Sequence, residues 1–152
     1  MSGFFNIRVY GVLIDQERGV LVSDELIRGK EYTKFPGGAL EFGEGTRDCL
    51  KREFMEDMNL AVEVGEHLYT TDYFQRSAFN SAHQIISIYY FVKALQPITV
   101  RLNERPFDFD EVQMQAYQQQ NETESFRFIP LADFSAESVS LPIDKIVAGM
   151  IK

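Results

Sequence analysis

The sequence predicts one mixed α/β domain, and three observations support this fold class. Its 152 residues are the size of one ordinary domain, and 45% of them are hydrophobic, which is enough for a core. Stretches rich in β-branched and aromatic residues alternate with turn-forming stretches, and two segments carry a helical pattern. No internal repeat and no long linker divides the chain. We therefore expect a single domain over residues 1–152.

The N-terminal third predicts strands joined by tight turns. Residues 4–14 and 19–22 are rich in β-branched and aromatic residues, and the acidic, polar DQERG between them suits a hairpin turn. The FPGG at 35–38 predicts a second tight turn, because proline fixes φ and glycines reach backbone conformations closed to other residues. A short strand and a loop, ALEFGEG, follow this turn.

A helix is predicted to begin at Thr46, with Thr46 itself as the N-cap residue. We expect the helix to end at Asn59, because asparagine tolerates the left-handed conformation. The residues of its apolar stripe are Cys49, Leu50, Phe54 and Met58.

The second half of the chain predicts two longer strands, then a polar region, a strand and a helix. The longer strands cover residues 60–74 and 82–95. Residues 97–123 are polar and irregular, which predicts a loop or a short exposed helix. SFRFIP at 125–130 predicts the final strand, and the pattern of residues 131–152 predicts a short turn and a closing helix.

Charge and cysteine content exclude several classes of function. The net charge is −8 and the pI is about 4.8, so a bare nucleic-acid backbone would be repelled. The single cysteine, Cys49, excludes an intramolecular disulfide and a cysteine-based metal site, and its place on the apolar stripe predicts a core residue. The N-terminus predicts a strand rather than a signal peptide, and no apolar run approaches a membrane span. We expect a cytoplasmic protein with no membrane or nucleic-acid partner.

Carboxylates are concentrated in residues 36–60, PGGALEFGEGTRDCLKREFMEDMNL. Residues three or four apart share a helix face, so Glu53, Glu56 and Asp57 crowd together, and like charges at this spacing destabilise a helix unless a cation intervenes. Taken alone, such a face is usually solvated surface. With Glu44 near the helix start, however, it supplies the oxygen ligands that Mg²⁺ prefers, and Arg52 can orient the carboxylates.

This stretch resembles the signature of the Nudix hydrolases, G-x5-E-x7-R-E-U-x-E-E-x-G-U, where U is a bulky aliphatic residue. The matching residues are Gly38, Glu44, Arg52, Glu53 and Glu56, with Phe54 at the first U and Leu60 at the last. Two positions depart from the signature: Asp57 stands where the second glutamate is expected, and Asn59 replaces the glycine.

The resemblance implies a mixed sheet between helices that carries a loop–helix–loop catalytic motif. It also implies hydrolysis of a phosphoanhydride in a nucleoside diphosphate linked to another moiety, with Mg²⁺ as cofactor and Mn²⁺ as a substitute. On this hypothesis Glu53 is the base or a metal-bridging carboxylate, and Glu56 and Asp57 are metal ligands. The remaining roles fall to Arg52 and Glu44 as orienting residues, to the Gly37 carbonyl as a further metal ligand, and to Gly37 and Gly38 for close backbone approach to metal or phosphate.

Several alternatives stay open on the sequence alone. Nucleoside triphosphates, nucleotide sugars and other diphosphates all remain candidate substrates, because Arg76 and Ala78 match no subgroup marker beyond the signature. The resemblance implies one more acidic ligand or base outside the signature. The candidates are Glu104, Asp110, Glu111, Glu122 and Glu124, with Glu122 and Glu124 preferred. A catalytically weak nucleotide sensor of the same fold is the alternative function. A homodimer is expected from the resemblance.

Overall fold

The computed structural model describes residues 3–151, which cluster into two compact units. The first unit contains residues 3–12 and 37–99, and the second contains residues 13–36 and 100–151. The strands are β1 (Phe4–Asp15), β2 (Gly19–Ile27), β3 (Lys30–Lys34), β4 (Gly37–Ala39), β5 (Val62–Thr70), β6 (His83–Ala94) and β7 (Glu122–Ile129). The helices are α1 (Thr46–Met58), α2 (Glu111–Gln120) and α3 (Pro142–Met150), with a 3-10 turn at Ala136–Ser138. This is the mixed α/β class that the sequence predicts.

In the first unit, a sheet supports the helix α1. Strand β6 lies between β1 and β5, and β4 pairs antiparallel with β1. In that pairing Arg8 is opposite Ala39 and Tyr10 is opposite Gly37. The short strand β4 therefore holds both glycines of the FPGG turn against β1, immediately before the loop that leads into α1.

The predicted apolar stripe of α1 is confirmed. All four of its residues are buried: Cys49, Leu50, Phe54 and Met58. Asn59 ends the helix in the left-handed conformation, at φ 49°, and its N–H bonds back to the last turn, as predicted. The N-cap prediction was wrong by one residue. Gly45 is the N-cap. The Thr46 hydroxyl does not cap the helix, because it forms a hydrogen bond with the Tyr90 hydroxyl of β6 at 2.7 Å.

In the second unit, β2 pairs antiparallel with β3 on one side and β7 on the other. The end of β1 forms the predicted hairpin with β2, and the Asp15 carboxylate accepts from the backbone N–H groups of Glu17 and Arg18 in the turn. These two bonds hold the pKa of Asp15 below its ordinary value. A core with Phe35 and Phe134, whose ring centres are 6.0 Å apart, forms in this unit.

A buried ion pair joins β2 and β7. Asp24 is 0% exposed and accepts from Arg127 Nε at 2.5 Å and Nη2 at 3.1 Å. The Thr33 hydroxyl donates a third hydrogen bond to Asp24 at 2.7 Å. These bonds satisfy a charge that would otherwise be costly to bury.

Several features differ from the sequence predictions. β5 is shorter than the predicted strand over residues 60–74, and β2 is longer than the predicted strand over residues 19–22. β3 was not predicted as a separate strand, because its alternating charges masked a strand that pairs along its whole length with β2. β4 begins at Gly37 rather than after the turn, because pairing with β1 overrides the low strand propensity of glycine. Within the polar region 97–123, the short exposed helix is the alternative that forms, as α2, which has no buried residue. No helix within residues 3–151 has the length and apolarity needed to cross a membrane.

Candidate active site

The candidate site in the first unit begins with two adjacent glycines, Gly37 and Gly38. Each position excludes a larger side chain for a different reason. A Cβ on Gly37 would lie 2.1 Å from the Val9 carbonyl oxygen, and φ at Gly37 is +152°, so the pairing of β4 with β1 requires glycine there. A Cβ on Gly38 would instead lie 2.5 Å from the Glu53 carboxylate. Gly38 therefore provides the space that this carboxylate occupies.

Two hydrogen bonds join Arg52 to the carboxylate of Glu44. Arg52 Nε donates to Glu44 Oε2 at 2.9 Å, and Nη2 donates to Oε1 at 2.7 Å. Nη2 also donates to the Ala39 carbonyl oxygen at 3.1 Å, which ties the helix to β4. Glu44 in turn accepts from the Glu41 backbone N–H at 2.9 Å, so the loop before α1 is fixed by the same carboxylate.

The Nη1 nitrogen of Arg52 contacts two carboxylates of α1. Nη1 donates to Glu53 Oε1 at 3.1 Å and to Glu56 Oε2 at 3.2 Å. One hydrogen-bonded cluster thus extends from the loop to the helix, and its members are Glu44, Arg52, Glu53 and Glu56. Arg52 therefore supplies a positive charge next to Glu53 and Glu56 from within the protein itself.

The pKa values of Glu44 and Glu53 are shifted in opposite directions. Hydrogen bonds from Arg52, then from the Glu41 N–H, lower the pKa of Glu44 to about 2. Burial raises the pKa of Glu53, whose side chain is 14% exposed, against the lowering effect of Arg52. Burial also raises the pKa of the Cys49 thiol to about 12, which fits the predicted core residue rather than a nucleophile.

Asp57 lies four residues after Glu53, on the same helix face, and it is half-buried. The Arg52 guanidinium hydrogen-bonds to Glu53 and Glu56 on this face. Among residues 3–151, no three His, Cys, Asp or Glu side chains converge in the arrangement of a metal site. In this conformation the positive group that contacts Glu53 and Glu56 is the Arg52 guanidinium rather than a metal ion.

The donor set nevertheless fits a hard divalent cation. Its members are carboxylate oxygens, and Glu53 is held away from water, where a cation would stabilise its charged form. Gly38 leaves room beside Glu53 on the side of β4. In residue type and in placement on one helix face, Glu53, Glu56 and Asp57 are suited to Mg²⁺ or Mn²⁺.

Two residues that the sequence prediction did not select lie at the cluster. Glu41 Oε2 is 3.7 Å from Arg52 Nε. Arg8 of β1 is close enough for its charge to lower the pKa of Glu53 against the effect of burial. Arg8 is the one basic residue of β1, and this was the available signal for it.

The preferred acidic residues outside the signature lie in the second unit. Glu122 is exposed at the start of β7. Glu124 is half-buried opposite Glu25, and Ser23 Oγ lies 3.2 Å from a carboxylate oxygen of each. Whether either residue serves as a further ligand stays a prediction.

The family described as NUDIX domain matches residues 5–149 of the chain. No curated protein sequence matches it. Among solved structures, the MutT protein from Methanosarcina mazei Go1 is 12% identical, with a TM-score of 0.67 over 99% of this chain and 94% of that chain.

Two further structures share the fold over nearly the whole chain. A MutT NUDIX hydrolase from Burkholderia pseudomallei is 12% identical, with a TM-score of 0.65 over 97% of this chain and 98% of that one. An ADP-ribose pyrophosphatase from Streptococcus suis 89-1591 is also 12% identical, with a TM-score of 0.57 over 95% and 90% of the two chains. At these identities the likeness concerns the fold.

Proposed function

Because the chain belongs to the NUDIX domain family and is a hydrolase of that family, we propose that it cleaves a phosphoanhydride bond in a nucleoside diphosphate linked to another moiety. The reaction depends on a divalent cation, with Mg²⁺ as cofactor and Mn²⁺ as a substitute. The family match spans both compact units, which supports one catalytic domain over residues 1–152. A cytoplasmic location and a homodimer remain parts of the proposal.

One observation carries this function: Arg52 joins Glu44, Glu53 and Glu56 into a single cluster. On a solvated helix face, the acids would point into water and pair weakly. Here Glu44 and Glu53 are largely shielded, at 15% and 14% side-chain exposure, and both are fixed in position. Such preorganised carboxylates next to a glycine-lined turn suit metal-assisted hydrolysis better than surface solvation.

The proposed mechanism assigns each side chain a task. Glu53, Glu56 and Asp57 would hold the cation, together with the carbonyl oxygen of Gly37. The bound cation would neutralise charge that develops on the diphosphate and lower the pKa of the attacking water. Glu53 is the first candidate to accept the proton of that water. Glu44 fixes Arg52, and Arg52 keeps the carboxylates aligned.

The candidate substrates share a nucleoside diphosphate core. Among the similar structures, one is named an ADP-ribose pyrophosphatase and another a UDP-X diphosphatase, and both names describe cleavage of a substituted nucleoside diphosphate. We propose the same substrate class for this chain, with nucleoside triphosphates and nucleotide sugars as its main members.

A hydrolysis panel tests the proposal. Nucleoside triphosphates, nucleotide sugars and ADP-ribose are incubated with the protein and Mg²⁺ or Mn²⁺, and product nucleotides are separated by chromatography. We expect turnover of at least one compound by the wild type and loss of that turnover in Glu53→Gln, which keeps the side-chain shape but removes the charge.

The matched control is Glu63→Gln, which removes the same charge from β5 rather than from the cluster. It should cleave the substrate at the wild-type rate. If no compound is cleaved with any divalent cation while the folded protein still binds nucleotides, the alternative holds, and the chain is a nucleotide sensor of this fold.

A further inference from the structure

Helix α1 begins at a glycine N-cap, and glycine has no side chain that could cap the helix. A capping side chain satisfies free N–H groups of the first turn and so helps to fix where a helix begins. The position of this helix start matters for the site, because Glu44, the partner of Arg52, immediately precedes Gly45. The start of α1 therefore depends on contacts with the rest of the first unit.

Tyr90 of β6 contacts the first two residues of α1. Its hydroxyl is hydrogen-bonded to the Thr46 hydroxyl at 2.7 Å, and the guanidinium carbon of Arg47 lies 4.7 Å from the centre of its ring. A cation over an aromatic ring at this distance is attracted to it. Arg47 Nη1 also donates to the carbonyl oxygen of Val64 on β5 at 2.8 Å. The start of the helix is thus joined to two neighbouring strands of the sheet.

The Tyr90 side chain is itself held in place. It is 9% exposed, and the ring of His67, its partner in the pairing of β5 with β6, packs against it edge to face with ring centres 5.7 Å apart. His67 Nε2 lies 2.7 Å from the Thr70 hydroxyl oxygen, which fixes the imidazole in turn. A hydroxyl on a buried, packed ring restricts the position of its partner, because the ring has little freedom to move.

The helix start is linked to the carboxylate cluster through Glu44. Thr46 lies two residues after Glu44, whose carboxylate accepts two hydrogen bonds from Arg52. Arg52 also donates to the Ala39 carbonyl oxygen on β4. A shift of the first turn of α1 relative to the sheet would therefore change how Arg52 meets both the loop and β4.

We propose that Tyr90 is a positioning residue for the hydrolysis. It fixes the start of α1 through Thr46 and Arg47, and the fixed helix start keeps Glu44 aligned with Arg52. This inference rests on the proposed function, because it assigns a residue outside the signature to the same carboxylate cluster. Tyr90 acts on that cluster through other side chains and is not itself a catalytic residue.

Hydrogen exchange of the Arg52 Nε–H group tests the proposal without any turnover. The group is observed by nitrogen-15 NMR and is assigned by its absence in Arg52→Lys. It should be protected in the wild type, because it donates to Glu44. We expect Tyr90→Phe, which removes only the hydroxyl, to raise the exchange rate about fivefold, the effect of one lost hydrogen bond.

Variants of Thr46 test the same hydrogen bond from its other side. Thr46→Val removes the partner hydroxyl and should raise the exchange rate as Tyr90→Phe does. The double variant should exchange no faster than either single variant, because both substitutions remove one shared interaction. Thr46→Ser keeps the hydroxyl and should exchange as the wild type does. Should Tyr90→Phe not fold, Thr46→Val decides by the same measurement.

The matched control is Tyr69→Phe, which removes the hydroxyl of a tyrosine on β5 that donates to Asp72 at 3.0 Å. It should leave the exchange of Arg52 Nε–H unchanged. The Nε–H of Arg127, which donates to Asp24 in the second unit, reports a general loss of stability in the same spectra. The proposal is overturned if Tyr90→Phe leaves the exchange of Arg52 unchanged, if it accelerates Arg52 and Arg127 by the same factor, or if Tyr69→Phe has an equal effect on Arg52.

Kinetics with a nucleotide that the wild type cleaves provide a second test. Tyr90→Phe should lower kcat about fivefold with little change in KM, because the lost hydrogen bond aligns the carboxylates rather than binding substrate. This loss should disappear in a Glu44→Gln background, since Tyr90 acts through Glu44. An equal loss in both backgrounds contradicts the proposal. If the hydrolysis panel shows no turnover, the exchange rates still decide whether Tyr90 positions Arg52, so the two proposals can fail separately.

Discussion

Replacing Gly38 by alanine should disable the site without unfolding the protein. The added Cβ would lie 2.5 Å from the Glu53 carboxylate, whereas non-bonded heavy atoms prefer about 3.5 Å. The carboxylate must therefore move by roughly 1 Å from its place beside Arg52. Misplacement of a reacting group by this distance costs on the order of a hundredfold in rate.

The backbone at Gly38 does not adopt a left-handed conformation that would penalise alanine, and the group that must move is the end of a side chain. We therefore expect the free energy of unfolding of Gly38→Ala to stay within about 1 kcal/mol of the wild type. Two measurements check this: kcat/KM for a nucleotide that the wild type cleaves, and urea unfolding followed by circular dichroism. The rise in melting temperature on adding Mg²⁺ provides a further readout that does not depend on activity.

Gly37→Ala is the matched comparison, because the same methyl group is added one residue away. There the Cβ meets the Val9 carbonyl oxygen at 2.1 Å and the Tyr10 Cα at 2.7 Å, and neither backbone atom can move without breaking β4 from β1. This variant should lose stability, by about 2 kcal/mol or more. If Gly38→Ala keeps wild-type activity, or loses activity only in proportion to its loss of folded protein, the space beside Glu53 has no catalytic role.

Three further predictions concern α1. Asp57→Ala should raise the Mg²⁺ concentration needed for activity, while Asp57→Glu should keep or lower it; a titration in which Asp57→Ala behaves like the wild type would place Asp57 outside the metal site. Burial raises the pKa of the Cys49 thiol to about 12, so the thiol should resist thiol reagents at pH 8 until the protein is unfolded. The contribution of this buried thiol to the free energy of unfolding should be fully present below the ordinary thiol pKa of about 8.5. It should be lost as the pH rises through 12. Asn59→Gly should stabilise the protein by a few tenths of a kcal/mol in thermal unfolding, because φ at this position is 49°, and Asn59→Ala should destabilise it by about 1 kcal/mol.

The sequence predicted the local features of the fold well, because short-range physics determines them. The apolar stripe of α1 follows from helical spacing, and its end at Asn59 follows from the left-handed preference of asparagine. The signature likewise identified the family correctly. Each of these features depends on residues close together in the chain.

Features that depend on distant partners were not predicted. Thr46 is not the N-cap because its hydroxyl has a partner on β6, 44 residues away. β3 is defined by its register with β2 rather than by its own alternation. Arg8 was missed for the same reason, since only the pairing of β1 with β4 brings it beside the residues of the signature.

The buried pair of Asp24 and Arg127 constrains how this sequence can diverge. Removing one partner of such a pair typically costs 3–5 kcal/mol, whereas replacing both with apolar residues of similar volume is often neutral. A domain has only about 5–15 kcal/mol of stability in total. A protein that carries a substitution at only one of the two positions should therefore be poorly folded. The two residues are thus coupled although they are 103 positions apart in the sequence. Descendants of this chain should inherit the two residues together or lose them together.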